Sequence, residues 1–376
     1  MWHFGASRAH PNSSVDWSNF EPLTGIPAFA KDNVTPYAEN YSLSLERQMG
    51  ARTTLNIGYV GTQAHHLLVI QEVNPGNPAT CLALSSTASV AVGSATCGPF
   101  GESSVYTTAA GQVVQGTRTD FGSAFGSVNL QRTIANSHDN ALEVSVKHST
   151  KTLFLQAAYT LSKSIDQSSS LAEAVYPDVT GLSNAGLSRA LSAFDLTHNF
   201  VATYRYTLPL GERWPRLTEG WDVSGLTRFS TGFPVTLANN NDTSLLGTQP
   251  NGINNNGVDE PDVAAGDLKL NRRPGANGYA FNTSLFSLPA LGTLGDARRR
   301  FFYGPGADNT DLALAKITKL HGSTSLELRV EGFNVFNHGQ FFGPAAVSGN
   351  ISSTNFGELQ SSAAPRLLQL AVRIKF

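Results

Sequence analysis

The chain has 376 residues, of which 14% are charged and 40% hydrophobic, and its 26 Lys and Arg against 28 Asp and Glu leave a formal net charge of −2. Soluble domains carry about 25% charged residues, so a well-solvated surface is under-supplied, and the scattered basic residues give no electrostatic footprint for nucleic acid. A run of about 18 apolar residues, the length a membrane helix needs, is absent, which leaves a soluble protein or a β-barrel whose strands need no continuous apolar run.

Residues 1–5 are followed by polar residues and prolines, with neither the basic segment nor the apolar core of a signal peptide. Nine long strands are then predicted from apolar and polar alternation. The first covers about 38–48, with Tyr41, Leu43 and Leu45 on one face. A turn at Gly50 leads to the second, which carries Leu55, Ile57 and Tyr59 and continues past a bulge at Gly61 to Val73. The third ends on Leu142, Val144 and Val146. The fourth shows Leu153, Leu155, Ala157, Tyr159 and Leu161, and the fifth Phe200, Ala202, Tyr204, Tyr206 and Leu208. The sixth runs from Trp221 and Val223 to about Leu237. The last three cover about 311–320, 325–336 and 366–376.

In the terminal strand Leu368, Leu370, Val372, Ile374 and Phe376 share one face, and Leu367, Gln369, Ala371, Arg373 and Lys375 the other. A closing strand that ends the chain on an aromatic residue resembles the assembly signal of outer-membrane β-barrels. An edge strand of a soluble sandwich would alternate in the same way. The connections favour the barrel. Short turns near Gly50, Thr150, residues 209–220 and Gly322 alternate with long loops at 74–126, 164–195, 238–309 and 337–365, as short periplasmic turns and long external loops do. The expected fold is therefore all-β, an antiparallel transmembrane β-barrel with long extracellular loops. Counting back from a periplasmic end makes 1–37 a remnant of an extracellular loop and 38–376 a partial barrel, because bacterial barrels have even strand numbers with both ends in the periplasm. Cys81 and Cys97 flank a Ser-, Thr- and Ala-rich loop and read as one disulfide, with two free thiols as the alternative.

Six phrases in order along the chain carry a specific resemblance. They are Pro36-Tyr37 through Asn40-Tyr41-Ser42-Leu43-Ser44-Leu45-Glu46-Arg47-Gln48, Gly58-Tyr59-Val60-Gly61-Thr62, Ala158-Tyr159-Thr160-Leu161-Ser162-Lys163-Ser164-Ile165-Asp166, Phe194-Asp195-Leu196-Thr197-His198, Glu331-Gly332-Phe333-Asn334-Val335-Phe336-Asn337-His338, and the closing strand from Pro365-Arg366. Together they resemble the Oar-like TonB-dependent outer-membrane transporters. The resemblance implies a 22-stranded barrel around a plug, often preceded by a regulatory-like β-domain, with uptake energised through the TonB complex. The chain departs from that pattern in lacking the signal peptide, the TonB-contacting segment, the regulatory-like domain and the plug.

Several residues invite sharper readings. His65 and His66 suggest a metal, but neighbours in a strand point to opposite faces. Asp195 and His198 suggest acid-base work, although capping a loop end accounts for them. The loop 239–267, with Asp242, Asn254, Asn255, Asn256, Asp259, Glu260 and Asp262, offers oxygens for calcium without the spacing of a calcium loop, and reads as flexible and solvated. Arg298, Arg299 and Arg300 before Phe301, Phe302 and Tyr303 suggest contact with lipopolysaccharide phosphates, or an interfacial aromatic girdle. Tyr106 and Tyr176 read as sugar-stacking rings or loop anchors. Glu143, Lys147, Arg205, Arg228, Glu327, Arg329 and Glu331 are expected to line the lumen, with Arg329 in a charged ladder between Glu327 and Glu331. No catalytic residue or resident cofactor is expected. The expected partners are outer-membrane lipid and lipopolysaccharide, the barrel assembly machinery, the TonB complex through an absent plug, and a solute of unknown class. A surface barrel with a structural or adhesive role is the second reading, and a secreted sandwich glycosidase with two facing carboxylates the third.

Overall fold

In this computed structural model the described residues are 21–23, 26–86, 90–91, 97–118, 120–122, 124–169, 174–175, 188–210, 214–247, 259–270 and 278–376. Residues 1–5, Tyr176 and the run Asn254, Asn255 and Asn256 lie outside them. In chain order the elements are β1 (Ile26–Phe29), β2 (Tyr37–Met49), β3 (Thr53–Glu72), α1 (Pro78–Ser86), β4 (Val90–Ala91), β5 (Val105–Thr107), β6 (Val113–Gln115), β7 (Val128–Ser149), β8 (Leu153–Asp166), β9 (Ala174–Val175), β10 (Ala190–Leu191), β11 (His198–Thr207), α2 (Pro215–Thr218), β12 (Trp221–Ser230), β13 (Asp262–Val263), β14 (Phe286–Ser287), β15 (Ala307–His321), β16 (Thr324–Phe333) and β17 (Leu367–Lys375).

All nine long strands expected from alternation form, and they pair antiparallel in the order β2-β3-β7-β8-β11-β12-β15-β16-β17. The sheet is open, with β2 and β17 as its edges, and does not close into a barrel. Short turns join the strands at one end, two of them helped by a positive φ at Gly50 (69°) and Gly322 (56°) that glycine adopts freely.

The register separates two faces. One lateral row joins Leu45, Ile57, Val144, Tyr159, Phe200 and Phe229. Another runs Leu153, Tyr206, Val223, Leu314, Val330 and Leu370. A third starts at Met49, the last residue of β2, passes through Thr53, His148, Leu155, Tyr204, Gly225, Leu312 and Gly332, and reaches Leu368, the second residue of β17. Side chains two apart share a face, so these rows form one broadly apolar surface. At its short-turn margin Lys316 reaches over the Trp221 ring at 5.8 Å and donates to the Glu219 carbonyl, a basic group leaving an apolar face at its edge.

Two strands differ from expectation. Gly61 stays in register with Tyr41 and Asn140, and the slips fall between Ala64 and Leu68, where His66 takes φ 56°. The Tyr41 ring lies over Gly61 in the space that a Cβ there would enter. β12 stops at Ser230, short of Leu237, because Gly232 and Pro234 interrupt the ladder and Val235 and Leu237 turn into a loop core. Past the bulge β3 and β7 continue as a pair, flanked by β1 parallel to β7 and β9 parallel to β3.

The long loops are not structureless. They pack into a cap with two apolar cores. Cys81, Leu84, Cys97 and Tyr106 of the first loop enclose Leu245 of the third, and Val235, Leu237, Phe281, Phe286, Ala297 and Phe302 form the second core with Phe356 of the fourth. Burial of large side chains from separate loops against one another is what holds such connections in one arrangement.

Candidate functional site

The charged face of the sheet and the underside of the cap bound one region. Glu143 and Lys147 stand opposite Thr160 and Gln156, Arg205 opposite Phe154 and Ser224, and Arg228 opposite Val201 and Asn309. Glu327, Arg329 and Glu331 stand opposite Ile317, Ala315 and Ala313. By this register all seven residues lie on the face opposite the apolar rows. Arg329 pairs with Glu331 at 2.7 Å, while Glu327 turns to the terminal strand, with Lys375 at 3.6 Å and Arg373 at 4.0 Å. The ladder thus runs across strands as well as along one. Arg228 lies 4.9 Å from the Phe342 ring, so the loop after β16 covers this face near the long-loop end.

Asp222 was not singled out from sequence. It is buried between Arg205 at 2.7 Å and the Thr207 hydroxyl, which donates at 2.6 Å. The signal was present in the parity of positions counted across the turn from β11, but only once the register of that turn was known.

In the terminal strand Leu368, Leu370, Val372 and Ile374 face Gly332, Val330, Leu328 and Leu326, and Phe376 follows just past the strand, almost fully exposed. Cys81 and Cys97 are bonded to each other, with a Cα–Cα distance of 5.2 Å. Tyr106 is a buried anchor beside this bridge, donating to the Gly101 carbonyl at 2.9 Å, so it presents no ring to a sugar.

The third long loop corrects the expectation of a flexible, solvated segment. Asn239, Asp242, Asp259 and Glu260 are buried. Asp242 accepts from the Phe100 and Gly247 amides, both at 2.9 Å, and shares a hydrogen bond with the Glu102 carboxyl of the first loop. Burial, then the Glu102 charge, push the Asp242 carboxyl up to about 8, against the pull of those two amides. Burial likewise raises Asp259 to about 6, although the Ser244 amide donates to it at 3.1 Å. Beside this pair Arg118 donates to the carbonyls of Asn74 and Gly247 and lies 4.0 Å from Glu72. Among the described residues no group of three or more His, Cys, Asp or Glu side chains is placed to hold a metal ion.

The basic-aromatic cluster and the histidine pair are placed otherwise than expected, and Asp195 is placed as the loop-end cap. Arg299 and Arg300 are buried 3.6 Å and 3.7 Å from Asp166, and Arg300 also donates to the Leu191 carbonyl at 2.7 Å, so neither meets lipid phosphates. Phe302 packs edge-on against Phe281 at 4.9 Å inside the cap, and is no part of a girdle. Asp195 is buried as a loop-end acceptor for the Ser164 amide at 2.6 Å and the Tyr303 hydroxyl. The bulge brings both His65 and His66 against one Tyr37 ring, at 5.1 and 5.8 Å, so the opposite-face argument fails there.

Among solved structures the chain resembles the outer membrane transporter YddB from Escherichia coli, with a TM-score of 0.43, 11% identity and coverage of 91% of this chain and 33% of that one. It also resembles the FrpB iron transporter from Neisseria meningitidis (0.40, 12% identity, 93% and 32%) and the siderophore receptor PirA from Acinetobacter baumannii (0.40, 10% identity, 90% and 31%). The chain spans about a third of the length of each. Among curated proteins none matches. The profile of the outer membrane beta barrel domain matches residues 5–369, nearly the whole chain. With its alternating strands, apolar rows and terminal strand, the chain belongs to that family and resides in the outer membrane.

Proposed function

We propose that the chain forms part of the wall and external cap of an Oar-like TonB-dependent transporter. In this reading the apolar rows meet lipid, the short-turn end faces the periplasm, and the face bearing Glu143, Lys147, Arg205, Arg228, Glu327, Arg329 and Glu331 lines the lumen. The observation that carries it is the division of the sheet: all seven charged groups stand opposite the apolar rows, beneath loops folded into a cap. The open edges at β2 and β17 support a larger barrel of which this chain is a part. The role is non-catalytic. Loops capture a solute, a plug carried elsewhere contacts the TonB complex, and β17 is read by the barrel assembly machinery.

The test is uptake in cells with and without the chain, across ferric siderophores and oligosaccharides, with and without a protonophore. Protonophore-sensitive loss of one solute class is expected. Identical uptake of every class sinks the transport reading and leaves the structural or adhesive one. A separate prediction concerns the lipid face. Leu370→Lys is expected to destabilise the folded chain by about 1–2 kcal/mol, because a charge there enters hydrocarbon off the midplane. Gln369→Lys, on the other face, should be near neutral. Heat-modified gel mobility of the two variants checks it.

A further inference from the structure

On the apolar face, at its long-loop margin, lies an open groove of about 680 Å³. Its floor is the end of one lateral row, Tyr159, Phe200 and Phe229, with the two Phe rings stacked 6.2 Å apart. Its upper wall is backbone of residues 304–307 with Tyr303 and Lys269. His198 closes one side, stacked on Tyr159 at 6.1 Å and bonded to its hydroxyl at 2.7 Å. Lys163 stands beside the wall, donating to the Tyr303 hydroxyl at 2.6 Å and lying 5.0 Å from that ring.

Depth identifies what meets this groove. The outward residues of β11 run from Tyr206 through Tyr204, Ala202 and Phe200 to His198, about 26 Å of strand at ~3.3 Å per residue and about 23 Å of depth at a tilt of roughly 30°, close to the apolar band of roughly 25 Å in such proteins. Phe200 and Phe229 therefore sit where acyl chains end, and Lys163 and Lys269, both exposed, where headgroups begin. None of the neighbouring acids is seen paired with a lysine ammonium: Asp195 accepts from Tyr303, Asp308 lies 3.1 Å from His338 Nδ1, and Asp267 accepts from the Lys269 backbone amide. Each lysine keeps N–H groups to donate outward.

We propose that this groove binds a phosphorylated, acylated lipid of the outer leaflet, with an acyl chain on the Phe200 and Phe229 shelf and a phosphate between Lys163 and Lys269. This rests on the outward placement of the long-loop end, and not on transport. A shelf without cations would take any lipid, and cations without a shelf would take any anion. Together they select an amphiphile bearing both.

The test uses the full chain folded in zwitterionic micelles and native mass spectrometry, with diphosphorylated lipid A, phosphatidylcholine or inorganic phosphate added. Retention of lipid A over phosphatidylcholine is expected at roughly thirtyfold, from two lysines at a headgroup. The K163A/K269A pair should fall to the phosphatidylcholine level, K163R/K269R should keep the preference, and F229A should weaken it. Circular dichroism of each variant checks that the strands form, and the arginine pair keeps the test decisive if the alanine pair misfolds. Equal retention of the two lipids overturns the proposal, as does an unchanged alanine pair, or displacement of lipid A by inorganic phosphate. Failure of the uptake assay leaves this result untouched, so the two readings fall separately.

Discussion

In an Asp242→Asn chain the cap is expected to stay equally closed above about pH 6, where Asp259 has already given up its proton, whereas the native cap goes on loosening up to about pH 8. In the closed cap the Asp242 carboxyl titrates at about 8, far above its ordinary value of 3.8, because it is buried beside Glu102. Between those two values the closed cap holds a proton that a released loop gives up, so its stability falls as pH rises from about 4 to about 8 and is level beyond, by an amount on the order of a few kcal/mol. Above that window two buried carboxylates face each other, with Arg118 and Glu72 beside them and Asp259 within the same loop. The readout is amide exchange at Phe100 and Gly247, which donate to Asp242, corrected for the intrinsic effect of pH. A native chain whose protection factors there are flat from acid to alkaline pH would refute the account.

The second large effect belongs to the bridge between Cys81 and Cys97, which closes a loop with a sequence separation of 16. Replacing both by Ser is expected to cost about 3 kcal/mol, the loop-closure value for that length, and to cost it locally. Leu245 of the third loop sits in the socket that α1, Cys97 and Tyr106 make, so loosening the first loop releases the third. Limited proteolysis should show cleavage within both loops while β7 and β8 remain protected. Cleavage confined to the first loop would mean that the loops are held together by something else.

The strands were legible because a sheet with one apolar face writes its period of two directly into sequence, and nine segments did so. Their ends were less so. The reading placed a bulge at Gly61, where glycine usually marks one, but the ladder passes Gly61 in register and the slip falls at His66, which adopts a left-handed φ that its residue type does not announce. The cap was missed altogether. Leu245 and Tyr106 belong to different loops, and nothing local to either shows that they meet. The triple Arg and its three aromatics were read as surface because basic residues usually are, yet Asp166 compensates two of them in the interior. Burial in a loop core depends on partners distant in sequence, so composition alone misplaces it.

The lateral row from Met49 to Leu368 has a consequence for shape. It leaves β2 at its last residue and meets β17 seven residues short of Lys375. With the short-turn ends held level, a slide of about 23 Å across eight strand spacings of ~4.8 Å tilts the strands by roughly 30°. A strand of 10 residues such as β11 then rises about 28 Å, enough to cross the hydrocarbon and little more. β7, with 22 residues, rises roughly 35 Å further. The rim of the sheet is therefore uneven, a high parapet along β3 and β7 falling to a low sill at β11 and β12, where the folded third loop stands in place of longer strands.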